Sequence, residues 1–115
     1  ESNPVALKAL DANVKKLNAE DDVMIVRRDA TRRLAWPSAP AGLIFLDPPW
    51  QKSDEDPDLA LLALQNLINM GAVAPDALIS IEHDARRPAT LPAGVKHLET
   101  RKWGKSACTI CQYAS

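Results

Sequence analysis

Asp47, Pro48, Pro49 and Trp50 stand in an unbroken row, and their residue types suit one kind of chemistry. A carboxylate at Asp47 can accept one N–H of a planar ring amine, and the Pro48 carbonyl can accept the other. Held at both hydrogens, the nitrogen is turned so that its lone pair leaves the ring system and points at an electrophile. The two prolines restrict φ and carry no N–H, so the carbonyl is presented on a stiff support. Trp50 offers a flat face on which an extruded base can stack, a contact worth roughly 1–3 kcal/mol in general. Methylation of an exocyclic base amine by a sulfonium donor is the chemistry these groups fit. The sulfonium charge disappears in such a transfer, so alignment matters more than a strong base, and no metal is required. Taken singly, Asp47 would be a turn cap and the prolines a strand stop. The combination with an apolar strand leading in and an aromatic residue following favours the chemical reading.

The elements around this row determine how it can be held. Gly42 to Leu46 is continuously apolar and stops at Asp47. Such a run predicts a central parallel strand covered by helices on both faces, and ligands bind at the carboxyl ends of such strands. Asn3-Pro4 predicts a helix start, with Leu7, Leu10, Val14 and Leu17 on one apolar stripe. Val23 to Val26 predicts a short strand ending before Asp29, and residues 30–35 a helical turn broken by Pro37 to Pro40. Asp56-Pro57 predicts the next cap, Leu59, Leu62, Ala63, Leu67 and Met70 the stripe, and Gly71 the stop. Ala77 to Ile81 predicts a second buried strand ending at Glu82, and residues 84–94, with three prolines, a loop. Val95 to Trp103 and Ala107 to Tyr113 flank Gly104-Lys105-Ser106 and predict an antiparallel hairpin. The expected class is α/β, a layered domain whose sheet is mainly parallel.

The bulk composition narrows the function classes. The chain has 115 residues, 46% hydrophobic and 25% charged, enough for one layered core and unlike a disordered segment. A net charge of -1 excludes a polybasic binder, so any contact with nucleic acid must come from local clusters. Arg27-Arg28, Arg32-Arg33, Arg86-Arg87 and Arg101-Lys102 with Lys105 are such clusters, although pairs of this kind are commonly solvated surface. No apolar run spans a bilayer, and a cytoplasmic location is the default expectation. Cys108 and Cys111 have C-x-x-C spacing, yet a strand would turn them to opposite faces, and His83 and His97 are poorly spaced for a shared zinc. Glu82-His83-Asp84 reads as a polar strand terminus, and Trp36 and Trp103 as packing residues.

Asp-Pro-Pro-aromatic after a buried strand resembles the amino-methyltransferase signature. Glu1-Ser2-Asn3-Pro4 with Leu10, Asn13 and Leu17 looks like an acidic strand end and its following helix. Asp29-Ala30 resembles the next strand's end, and Arg101-Lys102-Trp103-Gly104-Lys105-Ser106 a C-terminal arginine–aromatic–glycine turn. Together these resemble the RsmD-like 16S rRNA guanine-N2 methyltransferases over nearly the whole chain. The resemblance implies a three-layer Rossmann-like methyltransferase domain over residues 1–115, with S-adenosyl-L-methionine as cofactor and rRNA or the small ribosomal subunit as partner. By position, it implies that Glu1 binds the cofactor ribose and that Asp29, with Ala30 beside it, accepts the adenine amine. Asp47, Pro48, Pro49 and Trp50 would then hold the target base. The family sheet has the order 3-2-1-4-5-7-6, of which this chain is expected to supply strands 3 to 7 and to lack strands 1 and 2. Its four glycines, Gly42, Gly71, Gly94 and Gly104, are scattered, and none forms the Gly-rich cofactor loop. The residues given are therefore expected to be inactive alone, the gap being filled by an N-terminal segment or a second chain. Two rival functions stand beside this one. An adenine-N6 or cytosine-N4 enzyme uses the same four residues, and a non-catalytic interaction module would have lost the cofactor site.

Overall fold

The computed structural model describes residues 3–17 and 39–114. Helix α1 (Pro4–Lys16) opens as its sequence dictates: the Asn3 side chain accepts from Val5 N at 2.9 Å and Ala6 N at 3.2 Å. Those bonds satisfy two of the amide donors that a helix start leaves without partners. Of its apolar stripe only Val14 is buried, and Leu17 is largely exposed. The strand expected at Val23 to Val26 and the turn at 30–35 lie outside the described residues.

Four strands follow: β1 (Ala41–Leu46), β2 (Val73–Asp84), β3 (Val95–Trp103) and β4 (Ser106–Tyr113), with helix α2 (Leu59–Asn69) between the first two. They form one mixed sheet in the order β1-β2-β4-β3. β1 and β2 are parallel, as a strand–helix–strand crossover demands. β2 with β4, and β4 with β3, are antiparallel. Gly71 ends α2 with φ +75, a conformation that only glycine adopts freely. Gly94 enters β3 at φ +84, where an added Cβ would also lie 3.3 Å from the Tyr113 ring. Among the described residues no helix is long and apolar enough to cross a membrane.

The core lies on the face of the sheet that carries α2. Leu64 of α2 packs with Val73, Ala77, Ile79, Ile81 and Cys111, and Ile44 and Leu46 of β1 close over them. The other face of β1 departs from the expectation of a strand covered on both sides. Leu43 is 58% and Phe45 74% exposed, because the described residues place no helix against them. Trp103, expected to pack, is half exposed at the hairpin end.

Two boundaries also differ. β2 runs seven residues beyond its predicted Ala77–Ile81 span, from Val73 to Asp84. Pro75 and Asp76 look like breakers, but they sit in a bulge where the register jumps from Ala41↔Val73 to Leu43↔Leu78. Asp76 takes φ +64 there, and its carbonyl accepts from Gln112 Nε2 at 3.1 Å. The α2 cap is Asp58, accepting from Leu61 N at 3.0 Å, in place of the predicted Asp56. Asp56 caps a different turn, with Oδ2 accepting from Lys52 N at 2.8 Å and Ser53 N at 3.1 Å. The two cysteines are free and occupy opposite faces of β4, as strand periodicity requires.

Candidate active site

β1 delivers Asp47 to the carboxyl end of the sheet, where its side chain is exposed. Pro48, Pro49 and Trp50 then turn into the wall of a small recess of about 40 Å³, backed by Ile81 and His83 of β2. Pro49 and Trp50 also line a wider outer cavity of about 1210 Å³, ample for a nucleotide. Asp47 is not part of either lining and directly precedes Pro48 in the chain. The structure thus gathers three of the four residues into one concavity, with the fourth adjoining it through the chain. Glu1, Asp29 and Ala30 lie outside the described residues.

The cavity has two walls that sequence reading did not identify. One is the loop after Trp50, folded on itself by Asp56 and by Gln51 Nε2, which donates to the Asp56 carbonyl at 2.8 Å. The other is the end of β2 with the following turn, residues 84–90. Arg87 of the second wall pairs with Asp54 of the first. The clues available were the Arg86-Arg87 pair and the polar strand end at His83-Asp84, but nothing in sequence spacing joins loops so far apart.

Asp84 anchors the second wall. It is 5% exposed, and its Oδ1 accepts from Arg86 N at 2.9 Å and Arg86 Nε at 3.0 Å. Its Oδ2 accepts from Arg86 Nη2 at 2.8 Å. The side-chain bonds from Arg86, followed by the backbone bond, hold the Asp84 carboxyl down at about 2, and Arg86 is raised in return. A depressed carboxyl stabilises the fold above its ordinary range near 3.8, and this contribution is lost as pH falls toward 2. The difference in melting temperature between wild type and Asp84→Asn should therefore be constant from pH 7 to about 5 and shrink as pH falls from about 4 to 2. Thermal unfolding at a series of pH values checks this; a difference that does not change with pH would remove the ion pair as its cause.

His83 is tied at both ring nitrogens. Nδ1 lies 2.8 Å from the Arg87 carbonyl and 3.0 Å from that of Asp84, so Nδ1 carries the hydrogen. Nε2 meets Thr109 Oγ1 at 2.8 Å, Thr109 meets Thr100 Oγ1 at 3.0 Å, and Thr100 meets His97 Nε2 at 2.7 Å. A file of side chains thus crosses the sheet and braces the cavity wall from β3. Thr109 is 2% exposed, and Thr109→Val would leave His83 Nε2 without its partner. We expect that substitution to lower the unfolding free energy by about 1–3 kcal/mol and Thr109→Ser to recover most of it. Urea titration decides the matter, and equal stability of Thr109→Val and wild type would deny the file a structural role. With both nitrogens engaged, His83 has no lone pair free for a metal. Among the described residues, no group of three or more His, Cys, Asp or Glu side chains is arranged to hold one.

Residues 1–112 match the family Conserved hypothetical protein 95, and the chain belongs to it. This is the RsmD-like family that the sequence resembles. No curated protein matches the chain significantly. The fold is shared with the "putative methylase" HI0767 of Haemophilus influenzae, with TM-score 0.82 and 19% identity over 100% of this chain and 70% of that one. It is shared also with the "putative methyltransferase" yhhF of Escherichia coli, with TM-score 0.79 and 23% identity, covering 100% and 62%. A conserved hypothetical protein of Streptococcus pyogenes gives TM-score 0.73 and 19% identity, covering 98% and 68%.

Proposed function

We propose that this chain is the acceptor-holding part of an S-adenosyl-L-methionine-dependent N-methyltransferase, acting on guanine N2 of small-subunit rRNA. The observation that carries the reading is the placement of Pro48, Pro49 and Trp50 in one cavity at the carboxyl end of a parallel strand, with Asp47 beside it. Membership of the Conserved hypothetical protein 95 family supports it, as do fold relatives described as a "putative methylase" and a "putative methyltransferase". The order β1-β2-β4-β3 also fits the 4-5-7-6 end of the seven-stranded sheet that the resemblance implies.

In this reading the base enters the cavity and stacks on Trp50, while its amine rests at the strand end. Asp47 accepts one amine hydrogen and the Pro48 carbonyl the other, which directs the nitrogen lone pair away from the ring plane. The amine nitrogen forms the new N–C bond and then releases one of these hydrogens as a proton to solvent near Asp47. S-adenosyl-L-methionine, when bound, would supply the methyl group, the electron pair of the broken S–C bond staying on sulfur as a neutral thioether. The three residues that the resemblance assigns to it, Glu1, Asp29 and Ala30, lie outside the described residues.

The test is a comparison of nucleosides from small-subunit rRNA of cells with and without the gene. Loss of one N2-methylguanosine, restored by the wild-type gene and not by Asp47→Asn, is the expected result. Loss of N6-methyladenine or N4-methylcytosine would redirect the reading to those bases. An unchanged nucleoside profile would leave the interaction module as the better account.

A further inference from the structure

We propose that Arg87 is a binding site for a backbone phosphodiester of the substrate nucleic acid, and that Asp54 occupies it in the free chain. The inference rests on the cavity being a base-holding site, and it names the group that holds the strand beside that base.

The two neighbouring arginines of this wall are used differently. The Arg86 guanidinium is forked onto the buried Asp84 carboxylate through Nε and Nη2, with the Arg86 backbone N–H adding a third bond, so it is committed to structure. Arg87 pairs with Asp54, whose side chain is 97% exposed on the loop after Trp50. A pair with so exposed a partner is weak, so that carboxylate is readily replaced. The Arg87 side chain itself is two-thirds covered, and its backbone is held at both ends. Its N–H donates to the Asp84 carbonyl at 3.0 Å, and its carbonyl accepts from His83 Nδ1 at 2.8 Å. A pre-positioned guanidinium with an exchangeable anion is what a bound phosphate requires, because the planar fork matches two phosphate oxygens as it matches a carboxylate.

Position supports the assignment. Arg87 lines both the outer cavity and the inner recess, and Trp50 lines both with it. A base stacked on Trp50 must carry its sugar and phosphates out past the cavity rim. Lys52 stands on that rim and makes no ion pair among the described residues, which adds a second positive charge along the exit. Exchange of Asp54 for phosphate never leaves Arg87 uncompensated. It also unties the loop after Trp50 from the opposite wall, so the cavity can adjust as the strand arrives.

The experiment measures binding of a fluorescent 10-nucleotide single-stranded RNA to the chain over a salt series. Arg87→Gln should weaken binding by about 5–10-fold and flatten the slope of log K against log salt by about 0.7, the share of one phosphate on a single strand. Asp54→Asn should tighten binding by about 3-fold in the wild-type background and have no effect in the Arg87→Gln background. Arg87→Lys, which keeps the charge, should preserve the slope. Should Arg87→Gln fail to fold by circular dichroism, the Asp54→Asn variant is repeated against Arg87→Lys, where its gain should diminish. The proposal is overturned if Arg87→Gln binds with wild-type affinity and slope, or if the Asp54→Asn gain persists undiminished without Arg87. Trp50→Ala separates the two readings. If it weakens binding while Arg87→Gln does not, the phosphate site fails alone. If neither substitution matters, or wild type binds no RNA, the base-holding cavity fails with it.

Discussion

Asp47→Asn is expected to lower the rate of methyl transfer by at least about 100-fold while leaving the melting temperature unchanged. The rate effect follows from the loss of a charged acceptor aimed at the amine. Hydrogen bonds to a carboxylate are about twice as strong as neutral ones, and removing one pre-positioned polar group at a reacting centre typically costs 10²–10³ in rate. An asparagine in the same place can also present its NH₂ to the amine, which repels the hydrogen it should accept. The neutrality toward stability follows from the surroundings. Asp47 is exposed at the end of β1 and takes no part in the hydrogen bonds that hold the neighbouring loops. Exposed positions of this kind shift stability by about 0.5 kcal/mol or less. Initial rates of the whole gene product with a labelled methyl donor, alongside thermal unfolding of the same preparations, check both halves. A variant that keeps its rate within 3-fold would remove Asp47 from the reaction, and one that melts early would make its role architectural.

Leu64→Ala should destabilise the fold by about 2–5 kcal/mol, the range for a large aliphatic truncated in a closed core. Leu64 is fully buried, and it is the one α2 side chain in the buried cluster with Val73, Ile79 and Ile81. Ala60, Leu67 and Ile68 of the same helix pack around the cluster, so truncating Leu64 opens a space in the middle of the helix–sheet contact. Against a typical domain stability of about 5–15 kcal/mol, this one substitution removes a large fraction. Leu62→Ala on the same helix, where the side chain is 40% exposed, should cost under about 1 kcal/mol. Urea unfolding of the pair measures the contrast. Equal losses would mean that α2 is held by something other than its buried face.

Local rules made much of this architecture readable. Asn3-Pro4 starts a helix because a side-chain oxygen and a missing N–H both act within a few residues. The β3–β4 hairpin was legible because Gly104 supplies a positive φ between two strand-like runs. Failures occurred where a tertiary contact overrode a local signal. Pro75 and Asp76 look like the end of a strand, yet pairing with β1 and the bond from Gln112 carry β2 through them. Asp56 followed by Pro57 looks like a helix cap, yet its carboxylate is taken up by the amides of Lys52 and Ser53. The candidate site was half legible for the same reason. The Asp-Pro-Pro-Trp row announces itself by composition, whereas the opposite wall depends on Arg87 meeting Asp54 across the cavity. The apolar run of β1 predicted burial on both faces, because residue types alone do not say which faces receive a covering layer.

The bulge in β2 has a consequence best expressed as parity. Across it β1 advances two residues while β2 advances five, an odd difference. Before the bulge Ala41 shares a face with Val73; after it, odd-numbered residues of β1 share a face with even-numbered residues of β2. Ile44 and Leu46 are thereby assigned to the core beside Ile79 and Ile81, and Leu43 and Phe45 to the other side. β1 ends at Leu46, and the chain passes directly from this core-facing residue through Asp47 to Pro48 in the recess wall. An insertion or deletion in residues 74–76 would preserve that division of labour only in steps of two, unless the bulge itself absorbed the change. A short irregularity at one end of the sheet therefore decides which side chains of β1 reach the core all the way to the other.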